Sequence, residues 1–270
     1  MWPMAKSKLP VRLTGQHFTI DKVLIADLIK QATIHKSDTV LDIGAGKGFL
    51  TVHLVKMCDQ VIAIEKDKTL VKYLRLRFSN AHHVKIVGSD FRNYRMPSKP
   101  FKVVSNIPYG ITSEILKILM YEHAENFVGG SIILQLEAAQ KLVSNRLYNP
   151  FAVFYHTFFE LRLLYKVSAK SFMPPPTVTS ALLCIKRKNV RNCDLKHKQK
   201  YLAFVSCLLS NPNVSTRVAF KKIFRKRQLR VLAERFKIDL NAPITCLSPC
   251  QWNNCFLEML DMVPEKFHPV

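Results

Sequence analysis

Short apolar runs alternate with amphipathic stretches from Asp21 to about Arg187. Asp21 stands where a helix N-cap belongs, and Leu24, Ile25, Leu28 and Ile29 recur behind it at helical spacing. Residues 39–44, 60–65, 84–88, 101–106 and 131–136 are each an apolar run of buried-strand length. Helix-length segments lie between them at 50–58, 68–78 and 112–123. Such alternation predicts a mostly parallel sheet covered on both faces, with 161–167 and 178–186 extending it at one edge. Beyond Lys186 the texture changes. A polar stretch at 189–198 leads into segments that all read helical, at 201–209, 214–225, 228–236 and 250–262. The expected architecture is α/β, a Rossmann-like domain over 1–188 followed by a small all-helical domain over 189–270.

Candidate chemistry sits where the predicted strands end. Asp42-Ile43-Gly44-Ala45-Gly46-Lys47-Gly48 follows the first strand and precedes a helix. Alternate glycines let the backbone turn sharply and approach a ligand closely. The string is neither the dinucleotide fingerprint G-x-G-x-x-G nor a phosphate loop ending in G-K-[ST], and alone it is equally a tight structural turn. The next strand ends at Glu65, where a carboxylate can accept both ribose hydroxyls. The third ends at Asp90-Phe91, an acceptor for an adenine amine beside a ring that packs on the base. With no diphosphate cradle and with acids that suit a cation, the ligand expected is S-adenosylmethionine.

The fourth strand ends Asn106-Ile107-Pro108-Tyr109. An adenine amine is a poor nucleophile because its lone pair is delocalised into the ring. Acceptors on its N–H bonds can draw that pair out of conjugation and aim it at a methyl group. The Asn106 side chain offers one acceptor. Pro108 biases Ile107 towards an extended conformation in which the Ile107 carbonyl offers a second. Tyr109 supplies a stacking face. The chemistry is positioning for in-line displacement and calls for no metal.

Charge points to the partner. The 270 residues hold 41 Lys and Arg against 19 Asp and Glu, a net charge of +22, which favours a polyanion through counterion release. Nine basic residues lie between 217 and 237, opposed only by Glu234. Arg217, Lys221 and Arg225 repeat every four residues, as do Lys222, Lys226 and Arg230, so two adjacent helical rows are expected to contact RNA phosphates. Lys6, Lys8 and Arg12 would add a basic arm. The seven cysteines are irregularly spaced without a C-x-x-C pair, which fits free thiols in a reducing compartment. Cys246 and Cys250 could share a helix face, but no histidine nearby completes a zinc set. With no secretory signal and no apolar stretch near 20 residues, a cytoplasmic protein without membrane contact is expected. Its apolar content of 48% is no more than a core requires, so a monomer is expected.

On these motifs the sequence resembles the erythromycin-resistance (Erm) adenine-N6 methyltransferases of large-subunit ribosomal RNA, which share a catalytic fold with the small-subunit rRNA adenine dimethylases. The resemblance runs from about Thr14 to the C-terminus. Besides the segments above it rests on Gly15-Gln16-His17-Phe18-Thr19, His156-Thr157-Phe158-Phe159 and the run from Phe172 through Pro174-Pro175-Pro176 to Ser180. It implies a class I methyltransferase fold in which His17 and Thr19 fold over the methionine end of the cofactor and Gly44 and Gly46 line the same pocket. Glu65 would bind ribose and Asp90 adenine. Asn106 would hold the target amine while Tyr109 and Phe172 sandwich a flipped base. It further implies methylation of one adenine in 23S ribosomal RNA and resistance to macrolides, lincosamides and streptogramin B. Two positions depart from the family pattern, His17 where Asn is common and Leu in Leu134-Gln135-Leu136-Glu137 where Lys is common. The alternatives are a small-subunit rRNA dimethylase, a DNA adenine methyltransferase, and an RNA-binding or transcription factor with a vestigial site.

Overall fold

A computed structural model describes residues 17–144, 146–189 and 195–270. The basic arm at Lys6, Lys8 and Arg12, the motif residues Gly15 and Gln16, and Cys193 lie outside the described residues. So does much of the polar stretch after the expected boundary at 188.

The chain opens with a two-residue strand, β1 (Phe18–Thr19), and then α1 (Lys22–Gln31). Asp21 caps α1 as its position suggests, its Oδ1 accepting the Val23 and Leu24 N–H groups at 2.9 and 3.3 Å. Such a cap contributes about 1 kcal/mol. There follow β2 (Thr39–Ile43), α2 (Thr51–Leu54), β3 (Gln60–Glu65), α3 (Lys68–Arg77), β4 (Val84–Gly88), β5 (Phe101–Asn106), α4 (Thr112–Lys117) and β6 (Phe127–Gln135). Next come α5 (Leu136–Leu142), α6 (Pro150–Phe158), β7 (Phe159–Val167), β8 (Phe172–Met173) and β9 (Ser180–Arg187).

Seven strands form one sheet in the order β4-β3-β2-β5-β6-β9-β7. The pairs from β4 through β6 are parallel, and β9 lies antiparallel to both β6 and β7. Strand order reverses between β2 and β5. In open α/β sheets the crevice at such a reversal, outside the carboxyl ends of the strands, is where ligands bind. A clasp fixes that crevice: Ser105 Oγ accepts the Ile43 N–H at 3.1 Å and donates to the Ile43 carbonyl at 2.6 Å. The Gly44 loop and Asn106 thus leave the sheet from points tied together.

Several boundaries differ from those the pattern predicts. Strand β6 starts at Phe127, not 131, because Gly129-Gly130 interrupts the apolar run without interrupting the strand. Expected helix 50–58 is regular only as α2, since Lys56 and Met57 bond three residues back to His53 and Leu54 and tighten the turn. Expected helix 112–123 widens after Lys117 into a π turn, Ile118–Glu122, closed by His123 N–H to Ile118 carbonyl at 2.9 Å.

The C-terminal part is helical, with α7 (Lys198–Leu208), α8 (Thr216–Phe220), α9 (Lys226–Phe236) and α10 (Pro249–Met262). Its apolar faces continue the core of the sheet domain. Phe154 and Phe158 of α6 pack with Tyr201 of α7 and Phe256 of α10, with ring centroids 4.6 Å apart within α6 and 5.0 Å between Tyr201 and Phe256. The Tyr201 hydroxyl shares a buried hydrogen bond of 2.8 Å with Thr157. Truncating one such ring to Ala costs about 3–5 kcal/mol, so the His156–Phe159 motif reads as packing.

One expected helix is two. Residues 214–225 break after Phe220, where Lys222 and Ile223 N–H groups bond three residues back and buried Phe220 and Phe224 pin the turn. The Gln228 side chain then accepts the Arg225 N–H at 2.7 Å and starts α9 afresh. Cys246 and Cys250 do not share a helix face either. Ser248 caps α10, its hydroxyl and the Gln251 amide satisfying each other's backbone N–H at 3.2 and 2.9 Å, so Cys246 stays in the turn before it. Cys58, Cys184 and Cys255 are buried free thiols, whereas Cys246 and Cys250 are exposed. Among the described residues no His, Cys, Asp and Glu group could hold a metal, and no helix is long and apolar enough to cross a membrane.

Candidate active site

A cleft of about 820 Å³ opens at the strand-order reversal. Its wall takes Gly44 and Gly46 from the loop after β2, Glu65 from β3, Asp90 and Phe91 from beyond β4, and Asn106, Ile107, Pro108 and Tyr109 from β5 onward. His17 closes it from the β1 side. Residues far apart in the chain thus meet at one place, for the topological reason given above. Beside it lies a recess of about 30 Å³ lined by His17, Thr19, Asp42, Gly44 and Asn106 among others.

Glu65 is 5% exposed and braces the glycine loop. Its Oε2 accepts the Gly46 N–H and its Oε1 the Asp67 N–H, both at 2.9 Å. Each oxygen keeps a lone pair that these bonds do not use, and Glu65 lines the cleft. Gly46 has φ +58, and a Cβ there would lie 2.7 Å from the Phe18 ring. Asp90 is gripped by Arg92, whose Nε reaches Oδ1 at 3.0 Å and Nη2 reaches Oδ2 at 2.8 Å. These bonds, with the Arg92 backbone N–H, hold the carboxyl down to about 2. Phe91 is 4% exposed, so only a small part of its ring meets the cleft.

Asp42 does not face the main cleft. It is buried in the side recess, where its Oδ2 accepts the Thr51 hydroxyl at 2.7 Å. Burial pushes its carboxyl up to about 7, against the pull of that hydrogen bond.

Asn106 carries the decisive geometry. Its Nδ2 donates to the His17 carbonyl at 2.7 Å, which sets the orientation of the amide. Its Oδ1 is buried and has no hydrogen-bond partner. A buried acceptor left unmade costs about 1–3 kcal/mol and calls for an explanation. Thr19 Oγ1, lining the adjoining recess, is buried and unpartnered too. The Tyr109 hydroxyl is tied to Ser180 Oγ at 2.6 Å, so the half-buried ring is held at the rim and does not swing freely.

Phe172 stands apart from this group. The register pairs Thr19 with Phe172 and Phe18 with Met173. Alternation then turns Thr19 and Phe172 inward and leaves Phe18 against the glycine loop. Phe172 is 2% exposed and packs with Val104, Ile133 and Leu182, lining neither cavity. The basic residues Arg217, Lys221, Lys222, Arg225, Lys226 and Arg230 are all exposed, but on α8, the turn and α9 rather than on one helix. The two continuous rows are therefore broken. Lys222 is bound back to the Cys207 carbonyl at 3.2 Å and to Ser210 Oγ.

The sequence pattern missed Ser105, Ser180 and the His17 carbonyl. Each acts through hydrogen bonds across strands, and a hydroxyl in an apolar run such as Val103-Val104-Ser105 was the one available signal.

The model of the ribosomal RNA adenine dimethylase family matches residues 12–261. The chain belongs to that family. An rRNA adenine N-6-methyltransferase of Bacteroides fragilis is 65% identical over 266 residues, covering 98% of this chain and 100% of its own length. Another, of Bacillus licheniformis, is 34% identical over 253 residues, or 93% and 87% of the two chains. The crystal structure of the 23S rRNA methyltransferase ErmE matches with a TM-score of 0.78 at 27% identity, over 91% of this chain and 100% of that one. In the cleft of this ribosomal RNA adenine dimethylase family member, Asn106 keeps an unpartnered acceptor and Tyr109 a ring tied to Ser180.

Proposed function

We propose that this chain transfers methyl groups from S-adenosylmethionine to the N6 amine of an adenine in 23S ribosomal RNA, and so confers macrolide, lincosamide and streptogramin B resistance. The observation that carries the reading is the buried, unpartnered Oδ1 of Asn106, a residue that lines the cleft. The 65% identity to an rRNA adenine N-6-methyltransferase supports the reaction, and the likeness to a 23S rRNA methyltransferase supports the choice of RNA.

The cleft suits the cofactor. Glu65 would take the ribose hydroxyls, Asp90 and Phe91 the adenine, and the Gly44–Gly46 and His17 main chain with Thr19 the amino-acid end. Bound there, the cofactor supplies an electrophilic methyl group on a sulfonium. Asn106 Oδ1 accepts one N6–H of the target base and pulls the amine lone pair out of the ring system. Tyr109, anchored through Ser180, holds the base by its face. The Ile107 carbonyl would be the second acceptor. Orientation supplies most of the acceleration, and the proton leaves the amine with or after methyl transfer, so no strong base is needed. The exposed cations of α8 and α9 hold the RNA backbone without reading sequence.

The test is transfer of labelled methyl to protein-free 23S and 16S ribosomal RNA in parallel, with the modified nucleoside identified. N6-methylated adenine in 23S is the expected result. Label confined to 16S would move the same site to the small-subunit substrate, and no label in either would overturn the reading.

A further inference from the structure

An amide side chain has two nearly isosteric orientations, and only one of them can serve the target amine. With Asn106 reversed, its NH2 would face the N–H of the base, donor against donor. The orientation is selected by the His17 carbonyl, which accepts Nδ2 at 2.7 Å and would face a second acceptor if the amide turned over. His17 immediately precedes β1, and β1 is a strand of only two residues, so something must hold that carbonyl in place. The imidazole does. Nδ1 lies 2.8 Å from the Pro174 carbonyl. A carbonyl can only accept, so Nδ1 carries the proton and donates. Pro174 follows β8, which pairs with β1, and the Ile20 N–H is fixed to the Ser171 carbonyl at 3.0 Å.

We infer that His17 is a positioning residue: its imidazole, bonded to the Pro174 carbonyl, holds its own main-chain carbonyl so that Asn106 presents Oδ1 to the substrate. The inference rests on the amine-positioning reading above. Three segments form one chain of hydrogen bonds, Pro174 carbonyl to His17 imidazole, then His17 carbonyl to Asn106 Nδ2, and the chain ends in the free acceptor. The His17 ring centroid also lies 6.4 Å from that of Tyr109, so ring packing is the competing role and must be separated.

Asparagine separates them. Its Nδ2 lies as many bonds from Cα as the histidine Nδ1 and can donate to the same carbonyl, but it has no ring. Phenylalanine has the ring and no donor. In full-length protein, His17→Ala and His17→Phe are expected to lower kcat about 10- to 100-fold with the cofactor KM within about threefold, as misplacement of a reacting group does. His17→Asn is expected to recover most of the loss. A second readout needs no turnover: the Asn106 side-chain NH2 resonances in asparagine-labelled protein, identified by their loss in Asn106→Ala. One amide proton should be protected from solvent exchange in the wild type and in His17→Asn, and unprotected in His17→Ala and His17→Phe. Recovery by Phe but not Asn, or unchanged kcat and protection in all three variants, overturns the inference. If the wild type methylates no adenine, the functional reading fails, and the resonances still decide the role of His17.

Discussion

A Cβ on Gly44 would lie 3.0 Å from Pro108 Cγ and 3.2 Å from its Cδ. The glycine loop after β2 and the Pro108 segment after β5 are therefore in contact, and the glycine is what lets them close. Its φ of +74 adds a second reason against any side chain there. Gly44→Ala should cost roughly 1–3 kcal/mol in stability and should also displace Pro108. A rise in cofactor KM together with a fall in kcat is the expected kinetic signature, with unfolding followed by calorimetry. An alanine variant of wild-type stability and activity would show that the contact yields without consequence.

Asn106→Ala removes the acceptor without touching Glu65 or Asp90. Cofactor affinity by equilibrium dialysis should stay within about threefold, while kcat falls about 10²- to 10³-fold, the loss typical of a preorganised polar contact. Asn106→Asp should do no better, because one carboxylate oxygen would face the His17 carbonyl that now accepts a hydrogen bond. Near-normal turnover in either variant would remove the amine-positioning argument.

Asp42 gives stability a pH dependence. Its carboxyl ordinarily titrates near 3.8 and burial pushes it up to about 7, so the folded chain holds this proton more tightly than the unfolded one. The contribution is fully present below about 3.8 and is lost as pH rises through about 7. Asp42→Asn keeps an acceptor for Thr51 and cannot ionise. Thermal unfolding without cofactor should therefore favour the variant progressively from pH 4 to pH 8, relative to wild type. Parallel curves across that range would mean that another group titrates.

The two broken rows of basic residues make separable predictions. Lys221→Glu, Lys226→Glu and Arg230→Glu should weaken RNA binding and flatten its dependence on salt, by roughly 0.7–0.9 in log–log slope for each phosphate no longer neutralised. Lys222→Ala should instead lower the unfolding temperature, because its ammonium caps the Cys207 carbonyl and Ser210. Unchanged salt slopes in the first set would move the RNA surface elsewhere.

Strand ends were legible because they couple two signals, an apolar run and a residue that cannot continue it. Glu65 and Asn106 end their strands as read, Asp90 lies two residues past the end of β4 at the start of a 3-10 turn, and all three meet in one cleft. The C-terminal helices were legible as helical texture, but not the break after Phe220. A four-residue period of cations continues through a turn as readily as through a helix, and the deciding Gln228 cap lies beyond it. Phe172 was promoted by a motif, while its burial follows from a register with β1 that no local pattern encodes. His17 was expected beside a cofactor, and it lies in the cleft wall. The use made of its carbonyl was not legible, since main-chain atoms leave no mark in a sequence.

Strand β9 lies between β6 and β7 although it is made after both, and it begins at Ser180, whose hydroxyl holds Tyr109. A chain emerging from the ribosome has its glycine loop, Glu65, Asp90 and Asn106 before it has this anchor. The early strands are parallel neighbours and can assemble as they appear, whereas β7 has no neighbour in the sheet until β9 arrives. Closure of the sheet is thus a late, long-range event of the kind that slows folding. The Tyr109 ring becomes fixed only when that event is complete, so a nascent chain would have its glycine loop, Glu65, Asp90 and Asn106 in place before that ring is anchored.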